Sequence, residues 1–324
     1  MSIWKLRFSI LWTLAIIFGL SSLFFAIFLG LIDALTIFTM VVFVFAFNLI
    51  QWLLAPYLIN ALYRVREVSQ SENPELRSMV ERLSQRSRVK TPRVMIANIP
   101  IPNAFAYGSP IAGSRVAVTS EMLKTLEDEE VEAVLGHEIG HLKHHDVQTM
   151  MFVSMLPAIF YYISYSMFMS SWYGYGRSRE RGNGSMVALI GVASMALYWV
   201  ITMFTLYLSR LREYFADRHS ADVVDEGSRK LSEALAKIQY STGRMKRFHR
   251  EVGTFGSFKA LFISDPDRAE TDVASIMRAR GYAADQRLVE EVVSREVTAA
   301  DRLIELFSTH PNIVKRLRAL QELS

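Results

Sequence analysis

Between Arg7 and Asp33 the chain carries no charged residue, and between Asp33 and Arg64 it again carries none. Each run exceeds the roughly 20 residues that a helix needs to cross hydrocarbon, so the pattern predicts two spanning helices joined as a hairpin. The first has too long an apolar core, and no small-residue cleavage site follows it, so it reads as an anchor and not as a cleaved signal peptide. A third charge-free stretch runs from Asp146 to Arg177, and a fourth from Arg181 to Arg210. The segment between them carries Arg177, Arg179 and Arg181 on the side that the first hairpin would place outside, against the positive-inside expectation. The second pair therefore either spans despite that rule, dips into one leaflet, or packs on the protein; run length favours spanning. Trp172, Tyr173 and Tyr175 beside those arginines suit an interfacial belt.

The remaining polar sequence predicts a mixed domain in two pieces, with the second hydrophobic pair inserted between them. Pro74-Glu75-Leu76 opens an amphipathic helix through Met79, Val80 and Leu83. Arg93–Ala97 and Arg115–Thr119 have the β-branched character of short strands. Thr119-Ser120-Glu121 offers a capping signal, and Leu123, Leu126, Val131, Val134 and Leu135 continue from it at helical spacing. After Ser209 the pattern is helical, broken near Gly253–Gly256 and at Asp265-Pro266. The organisation predicted is a membrane hairpin over 1–63, a first polar piece over 64–149, a hydrophobic pair over 150–208 and a second polar piece over 209–324. The fold class is a mainly α membrane protein, with four hydrophobic helices and an α+β domain built on a small sheet.

Composition sharpens this picture. Hydrophobic residues make up 51% of the 324, with 20 Phe and a mean hydropathy of +0.19, too apolar for an ordinary soluble enzyme. The formal charge of +4 comes from Lys and Arg that flank apolar runs and form no continuous basic stripe, so nucleic acid is not the expected partner. Lys5 and Arg7 before the first run, with Arg64 and Arg66 after the second, place both ends of the hairpin in the cytoplasm. The absence of cysteine leaves His and carboxylates to hold any metal.

Such a site is offered by His137-Glu138-Ile139-Gly140-His141. Four helical residues turn through about 400°, so both imidazoles leave one face about 6 Å apart along the axis and can converge on a tetrahedral ion. Glu138, about 100° around the cylinder, is placed to reach a water at that ion. A third ligand is expected in Glu213. If the second hydrophobic pair folds back as an antiparallel hairpin, the His137–His141 helix and the segment after Ser209 emerge side by side. Asp217, four residues on, shares the Glu213 face and can accept a hydrogen bond from the outer nitrogen of a liganding His. The plainer alternative is a solvated acidic face balanced by Arg210, Arg212 and Arg218.

Together these residues resemble the HtpX-type membrane metallopeptidases, related to the zinc endoproteases that trim prenylated CAAX proteins. The resemblance covers nearly the whole chain, and it implies that 64–149 and 209–324 form one zincin-like catalytic domain, the first part with the His137–His141 helix and the second with the third zinc ligand. It rests on the N-terminal hairpin, Pro102–Gly108, His137–His141, the second hydrophobic pair, Arg212–Asp217, and Ser308-Thr309-His310-Pro311 followed by Arg316. It implies one zinc ion per chain held by His137, His141 and Glu213, with Glu138 as general base. Asp217 and Arg316 would support the ligands. Asn103, Ala104 and Phe105 would lie on an edge strand where an extended substrate pairs through its main chain. His310 would be catalytic, donating to the oxyanion; its plainer alternative is a helix start with Thr309 as cap and Pro311 in the first turn. Two departures stand out: Asn312 replaces a frequent second proline, and His144-His145 replace other polar residues.

The expectation is a multi-pass plasma-membrane peptidase with its catalytic domain on the cytoplasmic side. Its partners would be protein or peptide substrates, chiefly misfolded membrane proteins, and the lipid bilayer. An intramembrane protease would keep its metal helix apolar for a full span, but here Asp128, Glu129 and Glu130 precede the motif and Lys143 to Asp146 follow it. A non-catalytic scaffold or transporter would carry ionisable groups inside its spans, which offer only the amides Asn48 and Gln51.

Overall fold

The computed structural model describes residues 37–69, 71–174, 184–248, 263 and 285–323. The first hydrophobic run, the arginine-bearing connector and the two breaks predicted after residue 250 lie outside them. Among the described residues, three helices are long and apolar enough to cross a bilayer, where four were expected. They are α1 (Ile37–Leu62), α5 (Asp146–Gly174) and α6 (Gly184–Val223).

Packing divides the chain into one unit drawn from Met1–Ile50 and Phe152–Thr202, and a second from Gln51–Met151 and Met203–Ser324. Within the first, α5 and α6 meet where Ser164 Oγ donates to the Gly191 carbonyl at 2.8 Å. Helix α6 holds 40 residues, about 60 Å at 1.5 Å per residue, twice the roughly 30 Å of bilayer hydrocarbon. Its charge-free part ends at Ser209, and the same unbroken helix continues through Glu213 and Asp217.

The second unit is built on a four-stranded sheet ordered β1-β2-β4-β3, from β1 (Arg66–Glu67), β2 (Arg93–Ala97), β3 (Ala104–Ser109) and β4 (Gly113–Thr119). Strands β2 and β4 run parallel, while β3 pairs antiparallel with β4 at one edge, Ala106 opposite Val116. Strand alternation sends the two faces into different cores. Val94, Ala104, Val116 and Val118 join Leu76, Val80 and Leu83 of α2 (Pro74–Ser87) and Val134, Leu135 and Ile139 of the helix Asp128–Lys143. Met95, Phe105, Tyr107 and Ala117 pack instead with Ile59 and Tyr63.

The expected run of helix into the His137 motif is broken. A short α3 (Met122–Thr125) ends at Leu126, whose backbone is extended, and α4 (Asp128–Lys143) starts afresh. Glu130 Oε2 accepts from the Glu127 N–H at 2.8 Å, which satisfies an otherwise unpaired donor and fixes the new start. Helix α7 (Gly227–Phe248) packs on α4, and α8 (Asp285–Ser294), α9 (Ala299–Leu306) and α10 (Ile313–Gln321) follow, with α8 and α10 packed on α7. Asn312 caps α10, its Oδ1 accepting from the Val314 N–H at 2.9 Å, a task that Thr309 does not take.

Candidate active site

Helix α4 brings the His137 and His141 rings together edge to face, centroids 4.7 Å apart, with their Nε2 atoms at 3.1 Å. Helix α6 sets Glu213 against both: Oε2 lies 3.6 Å from His137 Nε2, and Oε1 lies 3.6 Å from His141 Nε2. An ion bonded at about 2.1 Å to three corners of a tetrahedron separates its donors by about 3.4 Å, so these spacings fit one divalent metal. Glu213 Oε2 is buried without a hydrogen bond, although Arg316 Nη1 approaches it as an ion pair at 3.3 Å. Among the described residues no other trio of His and carboxylates is so placed.

The outer nitrogen of each ring faces a carboxylate. His137 Nδ1 is 2.8 Å from Asp217 Oδ1, and His141 Nδ1 is 2.6 Å from Asp146 Oδ2. This turns each Nε2 lone pair toward the shared point. Arg316, fully buried, donates from Nε and Nη2 to Asp217 at 2.8 and 2.6 Å and places Nη1 3.3 Å from Glu213 Oε2. Burial works against its charge, yet the two carboxylates outweigh that cost and raise its pKa. Burial likewise opposes a charged His141, but the Asp146 hydrogen bond and the carboxylates Glu213 and Glu138 prevail and raise its pKa in the metal-free protein.

Asp146 was missed by sequence reasoning, which used it only as the charge bounding the third apolar run. The available signal was a carboxylate five residues past His141, just beyond the helix end. Its carbonyl is in turn held by Arg212 Nη1 at 2.8 Å.

Glu138 sits between the metal donors and the sheet edge. Its Oε2 accepts the Ala106 N–H at 2.7 Å, so the outward main-chain groups of Ala104 and Ala106 face away from β4, toward α4. Burial raises the Glu138 carboxyl above the usual carboxylate range, which suits a group that must take up a proton. Asn103 directly precedes β3, and its Oδ1 accepts from the Ile263 N–H at 2.9 Å. Arg316 Nη1 donates to the carbonyl of the same residue at 2.6 Å. Phe105 points into the core on the far face of the sheet. His310 stands between α9 and α10, its Nε2 4.0 Å from Glu213 Oε1 and its Nδ1 3.0 Å from Thr309 Oγ1. His144 lies with its ring 6.0 Å from that of His219, apart from the trio.

A paired-His helix, a carboxylate from a second helix and an acid beside an edge strand define a metallopeptidase type of site. Comparison with known proteins agrees: residues 70–324 match the model of peptidase family M48, and the chain belongs to that family as a metalloprotease. It is 40% identical over 279 residues to a protease HtpX homolog of Aeropyrum pernix, covering 86% of this chain and 84% of that one. A homolog from Thermoplasma acidophilum is 36% identical over 283 residues, 85% of this chain and 82% of its own length. A protease HtpX homolog 2 of Sulfurisphaera tokodaii is 34% identical over 316 residues, 96% of this chain and 92% of its own length. In fold, the chain resembles the crystal structure of S. mikatae Ste24p with a TM-score of 0.58 at 18% identity, matching 98% of this chain and 66% of that one.

Proposed function

We propose that the chain is a membrane-anchored zinc endopeptidase that cuts extended segments of unfolded or misfolded membrane proteins on the cytoplasmic face, in protein quality control. The observation that carries this reading is the position of Glu138, within hydrogen-bond reach of an edge-strand amide and next to three converging metal donors. His137, His141 and Glu213 would hold the ion; two imidazoles and a carboxylate are a donor set typical of catalytic zinc. Zinc there supplies an acidified water and a polarised carbonyl.

The remaining work falls to the chain's own side chains. Strand β3 offers the outward main-chain groups of Ala104 and Ala106 to a substrate strand, which positions the scissile bond by hydrogen bonds that any sequence can make. Glu138 exchanges its Ala106 bond for the attacking water, removes a proton and returns it to the leaving amine. His310 Nε2, 4.0 Å from Glu213 Oε1, donates to the oxyanion. Asp217, Asp146 and Arg316 keep the imidazoles and Glu213 from turning. Restricting cleavage to extended chains follows from the edge strand, since a folded helix cannot pair there.

The test is Glu138→Gln in the purified full-length protein. Zinc content should stay at one per chain, while cleavage of casein or of a detergent-solubilised membrane protein falls by at least about a hundredfold. Undiminished cleavage would remove Glu138 from this role.

A further inference from the structure

Helix α9 has its faces reversed for an aqueous setting. Glu305 is buried at 7% exposure, accepting from the Asn312 N–H and from Lys315 Nζ. Leu303, Leu306 and the capping Phe307 stand 62%, 48% and 62% exposed. A helix bathed in water hides leucine and shows glutamate, so this apolar face calls for a cover.

The position of α9 says what the cover is. Arg210 is the first charged residue after the charge-free part of α6, and Phe204 and Tyr207 are exposed on the last turns before it. The Arg210 guanidinium lies 5.9 Å from the centre of the Tyr207 ring. Its Nη1 donates to the carbonyls of Glu305 and Ser308 at 2.8 Å each, and to that of Leu306 at 3.3 Å. The C-terminal end of α9 is thus tied to the point where an apolar helix first meets charge next to a tyrosine, the level of a membrane–water boundary.

We propose that α9 is an interfacial foot, with Leu303, Leu306 and Phe307 resting in the boundary between acyl chains and headgroups where α6 leaves the bilayer. The exposed Arg302 then lies at headgroup level. The foot leads within three residues to His310, whose N–H donates to Ser308 Oγ at 3.2 Å. Seating α9 on lipid therefore fixes the loop that carries His310, and ties the site to the membrane surface. The inference rests on reading α6 as a span.

The chain has no cysteine, so single-cysteine variants of the full-length protein in phospholipid vesicles can carry one nitroxide each. Labels at Leu303→Cys and Phe307→Cys are compared with Phe204→Cys on the span and Glu290→Cys on the exposed face of α8. At 303 and 307, the ratio of relaxation by lipid-soluble oxygen to relaxation by a water-soluble chromium chelate should exceed that at 290 by about tenfold. Leu306→Cys gives the same reading should either variant fail to fold. If 204 reports lipid while 303 and 307 match 290, the foot is overturned and the span stands. Should 204 also report water, the span reading falls and the foot with it. Labels at 303 and 307 shielded from both reagents would place a second copy of the chain over this face, and would equally overturn the proposal.

Discussion

At the scale of single residues, the site depends on carboxylates that never touch the ion position. Asp146 is held through its carbonyl by Arg212, and through its carboxylate it holds His141. An asparagine there keeps the volume but can present an N–H where the ring nitrogen needs an acceptor. Asp146→Asn should therefore weaken metal binding about ten- to a hundredfold with no loss of helical content, read by chelator competition alongside circular dichroism. Equal affinities would reduce Asp146 to a helix-end residue. Asp217 Oδ1 stands 2.8 Å from His137 Nδ1, and Asp217 also shares a bidentate bond with Arg316.

At the scale of elements, the decisive contact is that of α4 with the polar half of α6. A Cβ on Gly140 would lie 3.1 Å from His219 Cβ and 3.2 Å from Ala216 Cα, and one on Gly136 would lie 3.1 Å from Ser220 Oγ. The two glycines, one turn apart and each just before or between the histidines, let α6 come close enough for Glu213 to reach both rings. Gly140→Ala gains up to about 1 kcal/mol of helix propensity and loses about 1–3 kcal/mol to overpacking, so the melting temperature should move little. The displaced α6 should nonetheless lower metal affinity by about tenfold, because ligand spacing tolerates only tenths of an ångström. A thermal melt and a chelator titration on the same sample separate the two effects; unchanged affinity would count against the close-approach argument.

At the scale of the whole molecule, the metal position lies where α4, α6 and the loop before α10 converge, with Arg316 of α10 behind it. An ion bound there links segments far apart in sequence, and a ligand present at 100 times its dissociation constant stabilises the folded state by about 2.7 kcal/mol. Removing the bound metal with a chelator should lower the melting temperature of the detergent-solubilised protein by about 5 °C or more, reversed by added divalent metal.

The histidine pair and its glutamate were legible in the sequence because they lie within one helical turn, where the 3.6-residue period alone dictates which side chains share a face. The charge-free runs, the helix opening at Pro74 and the strands at 93–97 and 115–119 were legible for the same reason: each is set by near neighbours. Glu213 was reached only by supposing that two apolar helices fold back on each other. Asp146 as the partner of His141, the bond from Ala106 to Glu138 and the reversed face of α9 belong to the tertiary structure. Each depends on how separate elements pack: Arg316 and Asp217, 99 residues apart, share a bond that no local periodicity encodes. The sequence by itself determined what chemistry the chain carries and which segments favour lipid, and packing decided which of its many acids stand at the metal position.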